Sequence, residues 1–282
     1  MFRYLSNTLK TILPHKLFIF FRMIYRNSIN RKDISYLKAI EINESKLESF
    51  NFSIDQIKSA LAEKKLSYSD SSLSWHYHLF AGLKGVYEKR ECPINNILEI
   101  GTLDGAFTNF LSSLFENSKI YTMDLERNCQ EFKATYDRNR EDLLDKFIRK
   151  RELNLLAENI KFYEKNSIHM NEIFRKIKFD LIWIDGCHLN PQVTIDIINS
   201  LNIITDNGII LVDDVIMNEN FRSDGYVSNE SYRTLNLLEK NNILKNSFFI
   251  KRTRPSNYKN LKYISLSQKN FCHKSNELFF SN

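Results

Sequence analysis

Four residues carry the strongest chemical signal in this 282-residue chain: Asp185 with His188, and the adjacent pair Asp213 and Asp214. The acids close two apolar runs, residues 179–184 and 209–212, of the kind that forms buried parallel strands. In open parallel sheets ligands bind beyond the carboxyl ends of the strands, so acids at two such ends face one crevice. Three carboxylates there repel one another unless they are protonated or neutralised, and an all-oxygen set suits a hard cation such as magnesium. His188, an imidazole that ordinarily titrates at about pH 6.5, is suited to accept a proton near neutrality. The competing reading is local: each aspartate caps its own turn and the histidine makes a hydrogen bond nearby.

A second signal lies in residues 96–111, NILEIGTLDGAFTNFL. Ile97, Leu98 and Ile100 suit a buried strand, Gly101 and Gly105 a tight turn whose backbone touches a ligand, and residues 106–111 the helix that follows. A dinucleotide-binding loop has glycines at its first, third and sixth positions, and here Leu103 stands third while the second glycine comes fifth. The next apolar run, residues 119–123, ends at Asp124. A carboxylate at that strand end can accept hydrogen bonds from both hydroxyls of a ribose.

The pattern Glu99-x-Gly101-x-x-x-Gly105 resembles the first motif of class I S-adenosylmethionine-dependent methyltransferases. That resemblance implies a Rossmann-like sheet of seven mostly parallel strands, with helices on both faces and S-adenosylmethionine as cofactor. Glu99, Gly101 and Gly105 would lie along its amino acid and ribose portions, Asp124 on the ribose, and Asn166 and Ser167, after the strand-like residues 160–163, at the adenine edge. Asp185-Gly186-Cys187-His188 and Val212-Asp213-Asp214 resemble the metal-dependent O-methyltransferases, most closely the macrocin and mycinamicin type that methylate sugar hydroxyls. Catechol-type relatives have a lysine where this chain has His188, and commonly an Asp-Asn pair where it has Asp-Asp. The resemblance implies magnesium held by Asp185, Asp213 and Asp214, Asp185 also bordering the cofactor, and His188 as base. Chelation would lower the pKa of an acceptor hydroxyl and hold its oxygen in line with the sulfonium methyl, a vicinal diol being the natural bidentate partner. Residues 218–226 would form an acceptor-side loop presenting Arg222 or Tyr226.

The positioning elements follow from periodicity. Residues 1–90 read as largely helical, broken at Pro14, with a further helix opening at Ser53. His76 and His78, two apart, do not share a helix face and make a poor metal pair, so residues 75–80 read as an aromatic helix flanking the cofactor. The charged run 130–159 places Leu143, Leu144, Phe147 and Ile148 at helical spacing. Asn190 and Pro191 suit a helix start, with Val193, Ile197, Ile198 and Leu201 as its buried stripe. Residues 247–251 and 262–266 read as closing strands. The class is α/β, divided into a helical extension over residues 1–74 and a catalytic domain over residues 75–282.

A hydrophobic content of 43%, with 21 Phe, supports a sizeable core. Cys92, Cys129, Cys187 and Cys272 show no metal or disulfide spacing, which suggests a reducing, cytoplasmic setting. The net charge of +6 is concentrated in residues 1–32, which hold seven Lys and Arg and no acid. Their apolar stretch, residues 17–25, is too short to cross a bilayer and lacks a secretory cleavage site. It suits a helix docked on the catalytic domain or on a second copy in a homodimer, or one resting on anionic lipid at the inner membrane face. No nucleic-acid motif accompanies it, so nucleic acid is not an expected partner. The expected partner is a small-molecule or glycan acceptor. Two rivals remain: a metal-dependent glycosyltransferase using Asp124-x-Glu126, and a non-catalytic methyltransferase-like binding module.

Overall fold

The computed structural model describes residues 36–135, 138, 140–221, 223, 225–252 and 261–270. The basic stretch 1–32, Arg222 and Cys272 lie outside them. Three helices open the described chain, α1 (Tyr36–Ser49), α2 (Ile54–Glu63) and α3 (His76–Lys89). Strand β1 (Asn96–Ile100) leads through the glycine loop to α4 (Ala106–Leu114), then β2 (Lys119–Asp124), α5 (Gln130–Ala134), α6 (Glu141–Asn154) and β3 (Ile160–Glu164). A 3₁₀ turn and α7 (Met170–Ile173) precede β4 (Phe179–Ile184), α8 (Gln192–Ile203), β5 (Ile204–Val215), α9 (Glu230–Lys240), β6 (Leu244–Ile250) and β7 (Tyr263–Lys269).

The seven strands form one sheet in the order β3-β2-β1-β4-β5-β7-β6, parallel except for β7, which runs antiparallel to both neighbours. This is the Rossmann-like architecture expected, and the central parallel strands are rich in apolar residues because both faces are covered. Ile97, Ile120, Leu181, Trp183, Ile209 and Leu211 point to the face carrying α2, α3 and α4. Their neighbours Leu98, Tyr121, Ile182, Ile184, Ile210 and Val212 point to the face carrying α7, α8 and α9. Helices α1 and α2 do not stand apart: Leu47, Ile57 and Leu61 enter the first of these cores, and the buried Asn43 exchanges hydrogen bonds with the backbone of Ile250. Among the described residues no helix is long and apolar enough to cross a membrane.

Three local expectations need correction. Helix α8 is not capped by Asn190: Pro191 itself takes the cap position, without a side-chain hydrogen bond. Its inner face is Val193, Asp196, Ile197, Ser200 and Ile203, while Ile198 stands exposed and Leu201 half-buried, a rotation of the stripe that admits the buried carboxyl of Asp196. Strand β5 is twelve residues long and runs through Asp213 and Asp214 rather than ending before them.

Candidate active site

Sheet order brings the carboxyl ends of β1, β2, β4 and β5 to one edge, and the predicted residues divide there into two groups. The first surrounds the glycine loop. Gly101 has φ +101 and Gly105 φ +75, a region that side chains with a Cβ rarely adopt. A Cβ on Gly101 would stand 2.4 Å from the carbonyl oxygen of Asp185, and one on Gly105 would stand 3.1 Å from Asn154 and Leu155. Both glycines are therefore required by the protein's own packing, of loop on loop and of loop on α6, before any ligand is considered.

Glu99 is turned into the sheet. Its carboxyl accepts hydrogen bonds from Thr108 Oγ1 and, at 2.6 Å, from Thr122 Oγ1, and burial pushes its pKa up to about 8 against those two hydrogen bonds. It is a structural group at the base of the loop, not one facing the crevice. Asp124 closes β2 as expected: its oxygens accept from the Leu103 and Leu125 amides at 3.0 and 2.8 Å. A carboxylate accepts about four hydrogen bonds, so capacity remains for a ribose. Behind it lies a residue that sequence reasoning passed over, Arg151 of α6. Its guanidinium is buried, 3.0 Å from Glu164 and 3.8 Å from Asp124, and faces the rings of Phe132, Phe147 and Phe162. Asn166 caps the 3₁₀ turn through Ile168, and the buried Ser167 accepts from Gln192 at 2.8 Å, so neither presents its side chain as expected. Glu126 of the Asp124-x-Glu126 pair is exposed and ion-paired with Lys165.

The second group lies across the edge. His188 Nε2 is 3.4 Å from Asp185 Oδ1 and 3.9 Å from Asp214 Oδ2. The His188 carbonyl accepts from the amide and hydroxyl of Ser228 at 3.2 and 2.8 Å, which ties the 218–226 loop to the crevice. Asp214 has φ +52, and the β5–β7 register shifts between Val212 and Val215. A bulge re-aims side chains that regular pleating would send to opposite faces. Asp213 and Asp214 consequently meet one cation, the ammonium of Lys251 just beyond β6, which contacts Asp213 and lies 2.7 Å from Asp214. Lys262, just before β7, contacts the other oxygen of Asp214. These lysines were also missed. The available signal was their place at the adjoining ends of the two closing strands, which an antiparallel pair beside β5 puts at the acid-bearing edge.

The electrostatics follow from this crowding. Burial, reinforced by the Asp213 charge, pushes Asp185 up to about 7. Burial opposes charge on His188, but the hydrogen bond to Asp185 and the Asp214 charge outweigh it and hold its pKa above the ordinary value. Burial likewise opposes ionisation of Asp213 and Asp214, yet Lys251 holds both below the usual carboxylate range, joined by Lys262 at Asp214. Donor atoms of Asp185, His188 and Asp213 lie within 4.8 Å of one another, a spacing at which a metal could bind. Asp214, expected as the third ligand, has its two oxygens on the two lysines. His76 packs against Trp183 and Phe107 behind the second group, within electrostatic reach of Asp213 and Lys251, while His78 stacks on Trp75 away from it.

Exposed apolar side chains line the loops at this edge. Leu103 follows β1, Ile168 follows β3, and Met217 and Tyr226 follow β5. Such side chains, with a ribose acceptor nearby, suit an organic ligand bearing both apolar and polar parts. An open cavity of about 720 Å³ lies at the opposite end of the sheet among Lys84, Tyr87, Asn95 and Phe115, and contains none of the predicted site residues.

Residues 98–215 match the family model described as a methyltransferase domain. That segment of the chain is therefore similar to a methyltransferase domain. No curated protein matches the sequence. Among solved structures, the O-methyltransferase TomG from Streptomyces achromogenes, in complex with S-adenosylmethionine, is similar at 15% identity and a TM-score of 0.49, over 88% of this chain and 96% of that one. An O-methyltransferase from Bacillus cereus, in complex with S-adenosylhomocysteine, is similar at 16% identity and 0.46, over 81% and 97%. The N-methyltransferase NodS from Bradyrhizobium japonicum gives 13% and 0.45, over 70% and 97%.

Proposed function

We propose that the protein is an S-adenosylmethionine-dependent O-methyltransferase acting on a hydroxyl of a sugar or glycan. The observation that carries this reading is the crevice itself: in a segment that matches a methyltransferase-domain model, His188 stands against Asp185 and Asp214 at the sheet edge that also carries the glycine loop and Asp124. The residues suit the cofactor. Asp124 retains hydrogen-bonding capacity, and Leu103 and Ile168 offer apolar surface beside it. S-adenosylmethionine, when bound, supplies an electrophilic methyl on a sulfonium.

His188 then performs the chemistry this chain must provide. A sugar hydroxyl ionises far above neutral pH, so it needs a base as its oxygen attacks the methyl carbon. His188 takes that proton, the O–C bond forms as the C–S bond breaks, and the products are a methyl ether, S-adenosylhomocysteine and a proton returned to solvent. Asp185 and Asp214 stabilise the imidazolium that forms. The 218–226 segment, tied to His188 through Ser228, forms the acceptor side, with Tyr226 exposed on it. Magnesium does not enter this scheme, because Lys251 and Lys262 already contact the acidic pair.

The test is calorimetry with S-adenosylmethionine, followed by release of S-adenosylhomocysteine over a panel of sugars and glycans. Micromolar cofactor binding and turnover on a diol-bearing sugar are expected. Protection by nucleotide sugars in place of S-adenosylmethionine would sink the reading and favour a glycosyltransferase. Cofactor binding without turnover on any hydroxyl would favour a binding module.

A further inference from the structure

We infer that Lys251 is the resident cation of the acceptor site, filling the place between Asp213 and Asp214 where a divalent metal would bind, so that the crevice excludes such metals. The inference rests on the reading of this crevice as the acceptor site. It begins with backbone placement. The Lys251 amide donates to the Lys262 carbonyl at 2.8 Å, and its own carbonyl accepts from Trp75 at 2.8 Å. The lysine is thus pinned at the edge of β7 and at the start of α3, with its side chain mostly buried. The β5 bulge then delivers both aspartates to the one ammonium.

A divalent cation and this ammonium compete for the same oxygens. Magnesium needs ligand oxygens about 2.1 Å away and near-octahedral order. Asp213 Oδ2 and Asp214 Oδ1 are held by Lys251 and Asp214 Oδ2 by Lys262, so a metal bound there would sit in direct repulsion with two positive charges. The remaining oxygen of the pair, Asp213 Oδ1, has no hydrogen-bond partner, and ligand atoms of Asp213, Asp185 and His188 lie within 4.8 Å of one another, but an ion there would have to share the Asp213 carboxylate with the Lys251 ammonium. The result is a group of acids whose counter-ions are built into the chain. Lys251 acts as a positioning residue: it fixes Asp214, which in turn faces His188.

The experiment is a titration of the full chain with Mn²⁺ alone, read by the electron paramagnetic resonance signal of the free ion, on wild type, Lys251→Gln and Lys251→Gln/Asp213→Asn. Wild type is expected to leave the signal undiminished at millimolar Mn²⁺. Lys251→Gln is expected to take up one ion per chain, and the double variant to lose it. If Lys251→Gln folds only when Mn²⁺ is added, as read by circular dichroism, the exchange of one cation for the other is supported equally. Stoichiometric uptake by wild type would overturn the inference, as would absence of uptake by folded Lys251→Gln. Should the variant fold under neither condition, the wild-type titration decides alone. Calorimetry with S-adenosylmethionine on the same samples separates the two claims: lost cofactor binding defeats the functional reading, whereas manganese uptake by a cofactor-binding wild type defeats only this one.

Discussion

The two halves of the crevice handle their acids in opposite ways. Around β1 and β2, Glu99 is answered by threonine hydroxyls, and Asp124 by two backbone amides with Arg151 behind it. Around β4, β5 and β6, Asp185, His188, Asp213, Asp214 and Lys251 are packed into direct contact, with Lys262 at the rim. The first half is a preformed cradle in which burial pushes both carboxyls upward, Glu99 to about 8 and Asp124 above its ordinary value. The second contains two groups, Asp185 and His188, whose titration falls where proton transfer is useful. Under the proposed function, binding and chemistry occupy separate halves, joined where Gly101 packs on Asp185.

That division can be broken experimentally, beginning with the largest effect. His188→Gln should lower turnover by about 10²–10⁴-fold, the usual contribution of a general base, while leaving calorimetric affinity for S-adenosylmethionine unchanged. A parallel loss of cofactor affinity would show that the halves are not separate. In the other half, Arg151→Leu should destabilise the fold by about 3–5 kcal/mol in a denaturant titration, because Glu164 and Asp124 lose a buried partner. Gly101→Ala strikes the joint between them: the φ of +101 alone costs about 1–3 kcal/mol, and the contact with Asp185 forces the two loops apart. Both cofactor affinity and turnover should fall in that variant.

Two pH experiments sharpen the contrast. Glu99 has a folded pKa raised to about 8 from 4.5, so the folded state binds the extra proton between those values. Its contribution to stability is complete below pH 4.5 and declines as pH rises to 8. Glu99→Gln should flatten that part of the stability profile, measured by thermal melting across the interval; an unaltered profile would mean that Glu99 ionises without penalty. His188 must be neutral to accept a proton, and the carboxylates hold its pKa up, so activity should rise with pH through a midpoint above the ordinary imidazole value. Asp214→Asn removes one of those charges and should move the midpoint downward; a midpoint unmoved by the substitution would remove Asp214 from the site.

The sheet and the glycine loop were readable from the chain because their signals are local. Apolar runs such as residues 181–184 mark strands covered on both faces, and an acid at the end of each names the ligand edge. What such patterns omit is rotation and partnership. Helix α8 shows this: its apolar residues were visible, but the buried face is set by Asp196 and Ser200 packing inward, which places Ile198 outside. Arg151 was hidden for the same reason, since one arginine among many in a charged helix has no mark of burial until three aromatic rings close around it.

The acids of the second half were legible, and so was the physical demand they make, that adjoining carboxylates need a neutralising charge. Sequence alone determined the α/β class, the edge at which ligands bind, and the residue types brought there, because strand runs and their terminal acids are adjacent in the chain. Which cation answers the acids was decided by tertiary structure. Lys251 lies 37 residues from Asp214, just past the end of a strand separated from β5 by β7, and a bulge in β5 was needed to turn both aspartates toward it. Spacing along a chain does not encode a contact made through an antiparallel closure and a pleat that breaks register.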